Sequence, residues 1–435
     1  MIRAVLAILS IAVSGSFIMA QEVGSTKAKS SSSVLVQYAT VHVGNGEVID
    51  NAYVAFQGNE ITLVTDATKS RIRQAEYDTV IHADGMHMFP GFIVMDSRLG
   101  LTEIGAVRAT HDFRETGKNN ANVRALPAFN TESDVIATAR PNGVVGAQIA
   151  PKGGLISGQS SYVHFHGANW LDASVNPDEG VFINWPSSYG YGGWWGERSA
   201  SKDNKAYSKQ REELDTFFAD AIAYAKRDSG DNGPKNLKLE ACKHVIEGQA
   251  RLYIRANWAK DILDAIQFAR KYNLKKVSIV GGAEAHLVST ELKENNISVV
   301  IDRVHKTPVH NDDPIDQPFL LAGQLIEAGV EIAFATSGDM EAMVSRNLPF
   351  QVGTAVFHGL DYEKAISAIT LVPSTLMGME KTHGSIEPGK VPTFFLCKGD
   401  PLDMMTNKID IMFIEGKQVD LTNRQYELYQ KFKKN

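Results

Sequence analysis

Apolar and polar positions change rhythm twice along the chain. From Val34 to Asp66 they alternate, in VLVQYATVHV and NAYVAFQGNEITLVTD, with Asn45-Gly46 and Gly58-Asn59 between the runs. Period-two alternation broken by such pairs predicts short antiparallel strands joined by tight turns. Val80 to Pro90 adds a further short strand and a turn. From Gly91 onward, short apolar runs alternate with longer amphipathic stretches. The predicted strands are Phe92–Asp96, Val144–Ala150, Arg251–Asn257, Lys276–Gly282, Ser298–Asp302 and Glu331–Ser337. The predicted helices include Lys209–Arg227, Ala259–Tyr272, Ala283–Asn295 and Pro318–Ala328. This order predicts an α/β fold with a parallel sheet, either doubly wound or closed as a barrel. The span from Gly91 to about Met379 suits a (β/α)-barrel of roughly 250 residues or more. Strand character returns at Thr393–Cys397 and Ile409–Ile414, so both chain ends are expected to contribute to a small β domain. Asn423–Asn435 reads as a short polar helix with a basic tail.

The chain has 435 residues, 43% apolar and 22% charged. This is globular composition and excludes disordered, collagen-like and disulfide-framework classes. The net charge of −6 leaves no broad basic surface, so no nucleic-acid partner is expected. Met1-Ile2-Arg3, the apolar run Ala4–Val13 and the small residues up to Ala20 read as a secretory signal too short to span a membrane. Removing residues 1–20 leaves 43 basic and 50 acidic residues, a net charge of −7. Residues 21–33 read as a flexible leader. Cys242 and Cys397 lie far apart in sequence; one disulfide is open to them, but two buried free thiols are expected.

Several motifs resemble the metal-dependent amidohydrolases, in particular an imidazolonepropionase-like secreted bacterial branch. Residues 34–66 resemble that family's N-terminal strands. Phe89-Pro90-Gly91-Phe92-Ile93 resembles the lead-in to its first barrel strand. Gly384-Ser385-Ile386-Glu387-Pro388-Gly389-Lys390 followed by Gly399-Asp400-Pro401-Leu402 resembles its exit from the barrel. The resemblance implies a (β/α)8 TIM-type barrel at 90–379. It also implies a small β-sandwich domain built from 34–89 plus 380–422, and leaves 423–435 as a C-terminal tail helix. For activity it implies hydrolysis of non-peptide C–N bonds such as those of cyclic amides, and for location the periplasm of a Gram-negative bacterium.

In that family one or two divalent metals sit at the C-terminal ends of the barrel strands and activate water. Carried over position by position, the first-strand His-x-His falls on Asp96 and Arg98. A later histidine falls on Arg255, the next on Gly281 or Gly282, and the final aspartate on Ser337, with Asp339 two residues further on. No residue matches the carboxylated lysine. Arginine stays protonated and does not ligate metals. No metal or other cofactor is therefore expected at these positions. Asp96 is expected to pair with Arg98 or Arg255 across the barrel mouth.

Two readings stay open. In the first, the protein is a hydrolase of the amidohydrolase type working through a rearranged site, with Asp96, Asp339 and Glu341 as acid/base candidates. In the second, it is a non-catalytic pseudoenzyme or binding subunit that holds a small anion on Arg98, Arg255 and Ser337. It would then act as a homo-oligomer or beside an active relative. His164-Phe165-His166 has metal spacing and is the fallback site for zinc or another divalent ion, although a structural role is expected for it. The acidic loop Asn311–Asp316 is expected to be solvated. The aromatic stretch Asn184–Glu197 reads equally as a lid over a ligand or as packing on the barrel rim. His286 and His305 lie near strand ends without matching a ligand position.

Overall fold

The computed structural model describes residues 29–30, 33–192, 199–227, 233–338 and 340–433. The stretch read as a signal and most of that read as a leader lie outside the described residues. So do Asp339, Trp194 and Trp195.

Eight strands form one sheet in chain order: Phe92–Ser97, Val144–Ile149, Ile156–His164, Ser174–Asn184, Arg251–Ala256, Val277–Gly281, Ser298–Ile301 and Ile332–Phe334. A parallel bridge between Met95 and Ala335 joins the first strand to the last and closes the barrel. Alternation sorts the side chains. Ile93 and Met95 point inward with Phe182, Tyr253, Val280 and Val300, while Phe92 and Val94 face the outer layer. The helices Tyr207–Ala225, Leu237–Ile246, Ala259–Lys271 and Gln317–Glu327 supply that outer layer.

The barrel departs from strict strand–helix alternation. The third strand, Ile156–His164, runs antiparallel to both neighbours, so strands two to four form a meander. The sequence pattern missed strands three and four because GGLISGQS and SVNPDEG carry turn-forming residues. Here the glycines serve close approach instead. A Cβ on Gly180 would lie 2.4 Å from the Tyr253 ring, and one on Gly158 would lie 2.4 Å from the Val123 carbonyl oxygen.

The second sheet unites both chain ends. Strands at Ser33–His42, Val48–Gln57, Glu60–Asp66, Thr79–His82 and His87–Pro90 join Phe394–Cys397, Ile409–Ile414 and Lys417–Gln418. The expected sandwich is, in its hydrogen bonding, one nine-stranded sheet. Its first long strand changes partner midway: residues 34–37 pair with 79–82, and residues 40–41 pair with 87–88. Tyr38, with φ of 67°, marks that bend. Lys29–Ser30, in the stretch read as leader, pairs with Lys417–Gln418 at the sheet edge. The sheet meets the barrel through Phe89, Phe92 and Phe395, whose rings pack at 5.0–5.7 Å.

Cys242 and Cys397 are both buried and unbonded to each other, and burial pushes the Cys242 thiol up to about 12. Among the described residues no helix is long and apolar enough to cross a membrane.

Gly180→Ala should lower stability by about 1–3 kcal/mol, because the added methyl must displace the Tyr253 ring or the strand backbone. A lower midpoint in urea denaturation, with an unchanged slope, is the expected result.

Candidate functional site at the barrel mouth

The mouth is organised around one buried carboxylate. Asp96 sits near the end of the first barrel strand, is 1% exposed, and has φ of 47°. The pairing with the second strand skips a residue between Val94 and Ser97. This bulge, in a left-handed conformation that aspartate tolerates better than most residues, breaks the alternation and re-aims the side chain. Three groups fix that backbone. The Asp96 N–H donates to Gln148 Oε1 at 3.1 Å, and its carbonyl accepts from Lys152 Nζ at 3.0 Å and Ser337 Oγ at 3.4 Å.

The carboxylate itself is ringed by donors. Arg255 reaches it in a two-pronged contact, Nη2 to Oδ1 at 2.5 Å and Nε to Oδ2 at 3.3 Å. Lys152 Nζ lies 2.7 Å from Oδ2, and Ser337 Oγ donates to the same oxygen at 2.9 Å. Burial by itself would raise the Asp96 pKa, but the adjacent Arg255 and Lys152 charges outweigh it and hold the carboxyl far below the usual range. Asp96 is thus a counter-ion and a poor base near neutral pH.

Arg255 is pre-positioned from below. Tyr253 and Arg255, two residues apart on one strand, share the inward face. The guanidinium lies 4.5 Å over the Phe182 ring, which stacks at 4.6 Å on Tyr253. Its remaining donors reach Ser157 Oγ and Asn184 Oδ1, both at 3.2 Å, and the Pro151 carbonyl at 3.0 Å.

A second carboxylate follows the last strand. Glu341 opens the short helix Glu341–Val344 and is 2% exposed. Its Oε2 accepts from Arg98 Nε at 3.0 Å and lies 3.5 Å from Lys152 Nζ, while its Oε1 is buried and has no hydrogen-bond partner among the described residues. Arg98 also donates to the Gly338 carbonyl at 2.7 Å and covers the Phe113 ring at 4.6 Å. Asp96 therefore pairs with Arg255, Arg98 pairs with Glu341, and Lys152 joins the two pairs. Burial, with the Arg255 charge, lowers the Lys152 pKa against the opposing pull of Asp96 and Glu341.

Of the sequence candidates, the structure brings Asp96, Arg98, Arg255, Ser337 and Glu341 together. Asp339 lies outside the described residues. His164 and His166 are not part of this group. The third strand runs backwards, so His164 sits level with Gly146, towards the end where the parallel strands begin. There it is 3.3 Å from Glu415 Oε1 and packs against Tyr162 and His383. In the acidic loop, Asp313 accepts from the His310 backbone N–H at 2.9 Å. Trp185 is buried and Tyr189 packs on Trp258 at 4.9 Å, so this described part of the aromatic stretch packs on the barrel rim.

Sequence reasoning missed Lys152, Gln148 and Glu179. Lys152 had one available signal: it lies just past a predicted strand end, where barrel side chains reach the mouth. Glu179 had none, because its strand was not recognised. It is buried inside the barrel, bound by Gln148 Nε2 at 2.6 Å, Ser160 Oγ at 2.5 Å and Tyr253 OH at 3.0 Å, and burial raises its pKa. Gln148 joins it to Asp96.

The amidohydrolase family model matches residues 221–419. Imidazolonepropionase of Flavobacterium psychrophilum is 35% identical over 112 residues, covering 24% of this chain and 27% of the relative. The same enzyme of Flavobacterium johnsoniae is 32% identical over 107 residues, covering 23% and 26%. The matched stretch thus spans about a quarter of each curated relative's length. A crystal structure of an amidohydrolase from Thermotoga maritima MSB8 superposes with a TM-score of 0.75 at 23% identity, over 90% of this chain and 100% of that one. Residues 221–419 are thus similar to the amidohydrolase family, a stretch of about a quarter of the chain is similar to imidazolonepropionases, and the fold is that of the Thermotoga amidohydrolase.

The amidohydrolases that this chain resembles usually hold a divalent metal, and the donors described at this mouth do not fit one. Asp96 is engaged by two cations, and arginines stand at two of the expected imidazole positions. Among the described residues, no group of three or more His, Cys, Asp or Glu side chains is placed to hold a metal.

Arg255→Ala should destabilise the fold by about 3–5 kcal/mol, because it strips a buried carboxylate of its closest partner. Arg255→Lys should recover only part of this loss, since an ammonium cannot make the two-pronged contact. Chemical denaturation of the three proteins side by side measures both effects.

Proposed function

We propose that this protein is a hydrolase of small, non-peptide C–N bonds of the cyclic-amide type, working with its own charged residues where its family uses a metal. The observation that carries the reading is Glu341. It is a buried carboxylate with one oxygen held by Arg98 beside Lys152 and the other without a hydrogen-bond partner among the described residues. In this reading Oε1 takes a proton from the water that attacks the ring carbonyl carbon. Lys152 and Arg98 stabilise the oxygen as it becomes negative. When the C–N bond breaks, Glu341 returns the proton to the departing nitrogen, so one water is consumed and the carboxyl group is regenerated. Asp96 and Arg255 take no proton; they hold Lys152 in place. The relatives' name points to imidazolonepropionate, a cyclic amide bearing a carboxylate, as the first substrate to test.

One observation favours a second reading. Among the described residues, three cations, Arg98, Lys152 and Arg255, face two carboxylates, Asp96 and Glu341, so these five groups carry a net charge of +1. A non-catalytic subunit holding a small carboxylate would use that charge. The chain's first twenty residues support export to the periplasm in either case.

The test is turnover of imidazolonepropionate and a panel of cyclic amides, with and without a strong chelator, together with elemental analysis of the purified protein. The expected result is chelator-resistant turnover with well under one metal per chain. Glu341→Gln should lower turnover by about 100-fold or more. Stoichiometric metal with chelator-sensitive turnover would sink the proposal. Absence of turnover, with carboxylate binding weakened by Arg98→Ala, would establish the second reading in its place.

A further inference from the structure

A chain of hydrogen bonds away from the mouth ties the small sheet to the barrel. His42 ends the strand Ser33–His42, His87 opens His87–Pro90, and Glu363 lies on the barrel helix Tyr362–Ala368. His42 Nδ1 is 2.7 Å from Glu363 Oε1, and His42 Nε2 is 3.0 Å from His87 Nδ1. His42 is buried and stacks on Phe89 at 4.2 Å with a 10° tilt. The second Glu363 oxygen is buried and has no hydrogen-bond partner among the described residues, so this carboxylate depends on His42. The surroundings are polar on one side only. The Tyr362 ring packs 5.9 Å from His42 and donates its hydroxyl to Asp400 at 2.8 Å, and Asp400 and Asp50 lend negative charge near His87.

Proton counting shows what this arrangement tolerates. With Glu363 ionised, His42 Nδ1 carries the hydrogen it donates. A single proton then occupies the gap between His42 Nε2 and His87 Nδ1, on either ring. Charging His42 is accommodated, because Nε2–H then donates to a neutral His87. Charging His87 as well sets two N–H groups against each other across 3.0 Å. We propose that His87, His42 and Glu363 form an acid-sensitive latch that fastens the small sheet to the barrel and opens when His87 is protonated while His42 is also charged. The strand His87–Pro90 runs almost directly into Phe92–Ser97, so the latch stands at the root of the strand that carries Asp96.

Burial and the neighbouring His42 charge both hold the His87 pKa below its ordinary 6.5. The opened state therefore takes up the proton first. The latch holds fully above about pH 6.5, and its contribution is lost as pH falls through the lowered folded value. Opening that takes up one proton is favoured by up to about tenfold per pH unit in that window. His166, His286, His305 and His383 are also lowered by burial, so global melting would mix their effects with that of His87. A local readout is needed.

Hydrogen exchange of the full chain at pH 7.5 and pH 5.0, corrected for intrinsic chemistry, supplies it. Exchange in residues 33–42 and 87–90 should quicken at pH 5.0 by about tenfold more than in the barrel strand Ser298–Ile301. His87→Gln, which keeps a hydrogen-bonding group that cannot be protonated, should remove that difference. Equal quickening in both regions of the unmodified protein would overturn the proposal, whether or not the variant folds. So would an undiminished difference in a folded His87→Gln protein. The proposal does not depend on the activity proposed above.

Discussion

An ionised carboxylate inside a barrel survives only where cations and donors replace its lost water, and Asp96 is that carboxylate. Its ring of partners recruits three separate stretches of chain to the first strand: the second-strand loop through Lys152, the fifth strand through Arg255, and the segment after the eighth strand through Ser337. Because each partner arrives from a different strand end, the cluster ties the mouth together on the side where the sheet closes through the Met95–Ala335 bridge. Around this centre the remaining charges fall into place. Lys152 turns its spare attraction towards Glu341, and Glu341 in turn holds Arg98.

The same arrangement shapes the chemistry open to the mouth. In a metal centre the carboxylate and imidazole donors converge on one dication. Here the positive charge is carried by side chains, distributed over three residues and already paired. Such charges can stabilise a developing oxyanion or hold a carboxylate, but they do not generate a hydroxide. The scaffold is shared with solved amidohydrolases, while the residues at the strand ends decide what it can do.

Much of the architecture was legible because period and spacing are local properties. The strands at 92–97, 144–149, 251–256, 277–281, 298–301 and 332–334 each correspond to an apolar run predicted within a few residues. The helices at 259–271 and 317–327 follow their amphipathic pattern in the same way. Ile156–His164 and Ser174–Asn184 escaped, since their glycines, serines and proline have the composition of turns. Only the neighbouring Tyr253 ring and Val123 carbonyl explain why glycine is needed there. The stretch 283–295 also folds less regularly than its pattern, as a 3-10 turn followed by the short helix Ser289–Glu294.

The sequence by itself determined the strand–helix order of the barrel and carried the motifs that resemble amidohydrolases, because these depend on residue identity and position along the chain. It also contained both arginines and both carboxylates of the mouth. Only the tertiary structure decided which cation meets which carboxylate. A left-handed bulge turns Asp96 towards Arg255 and leaves Arg98 to Glu341. Lys152 and Glu179 entered the network the same way, through contacts between strands far apart in sequence. Pairing of this kind follows from strand register and barrel closure. These are long-range properties, and no local pattern of polar and apolar residues encodes them.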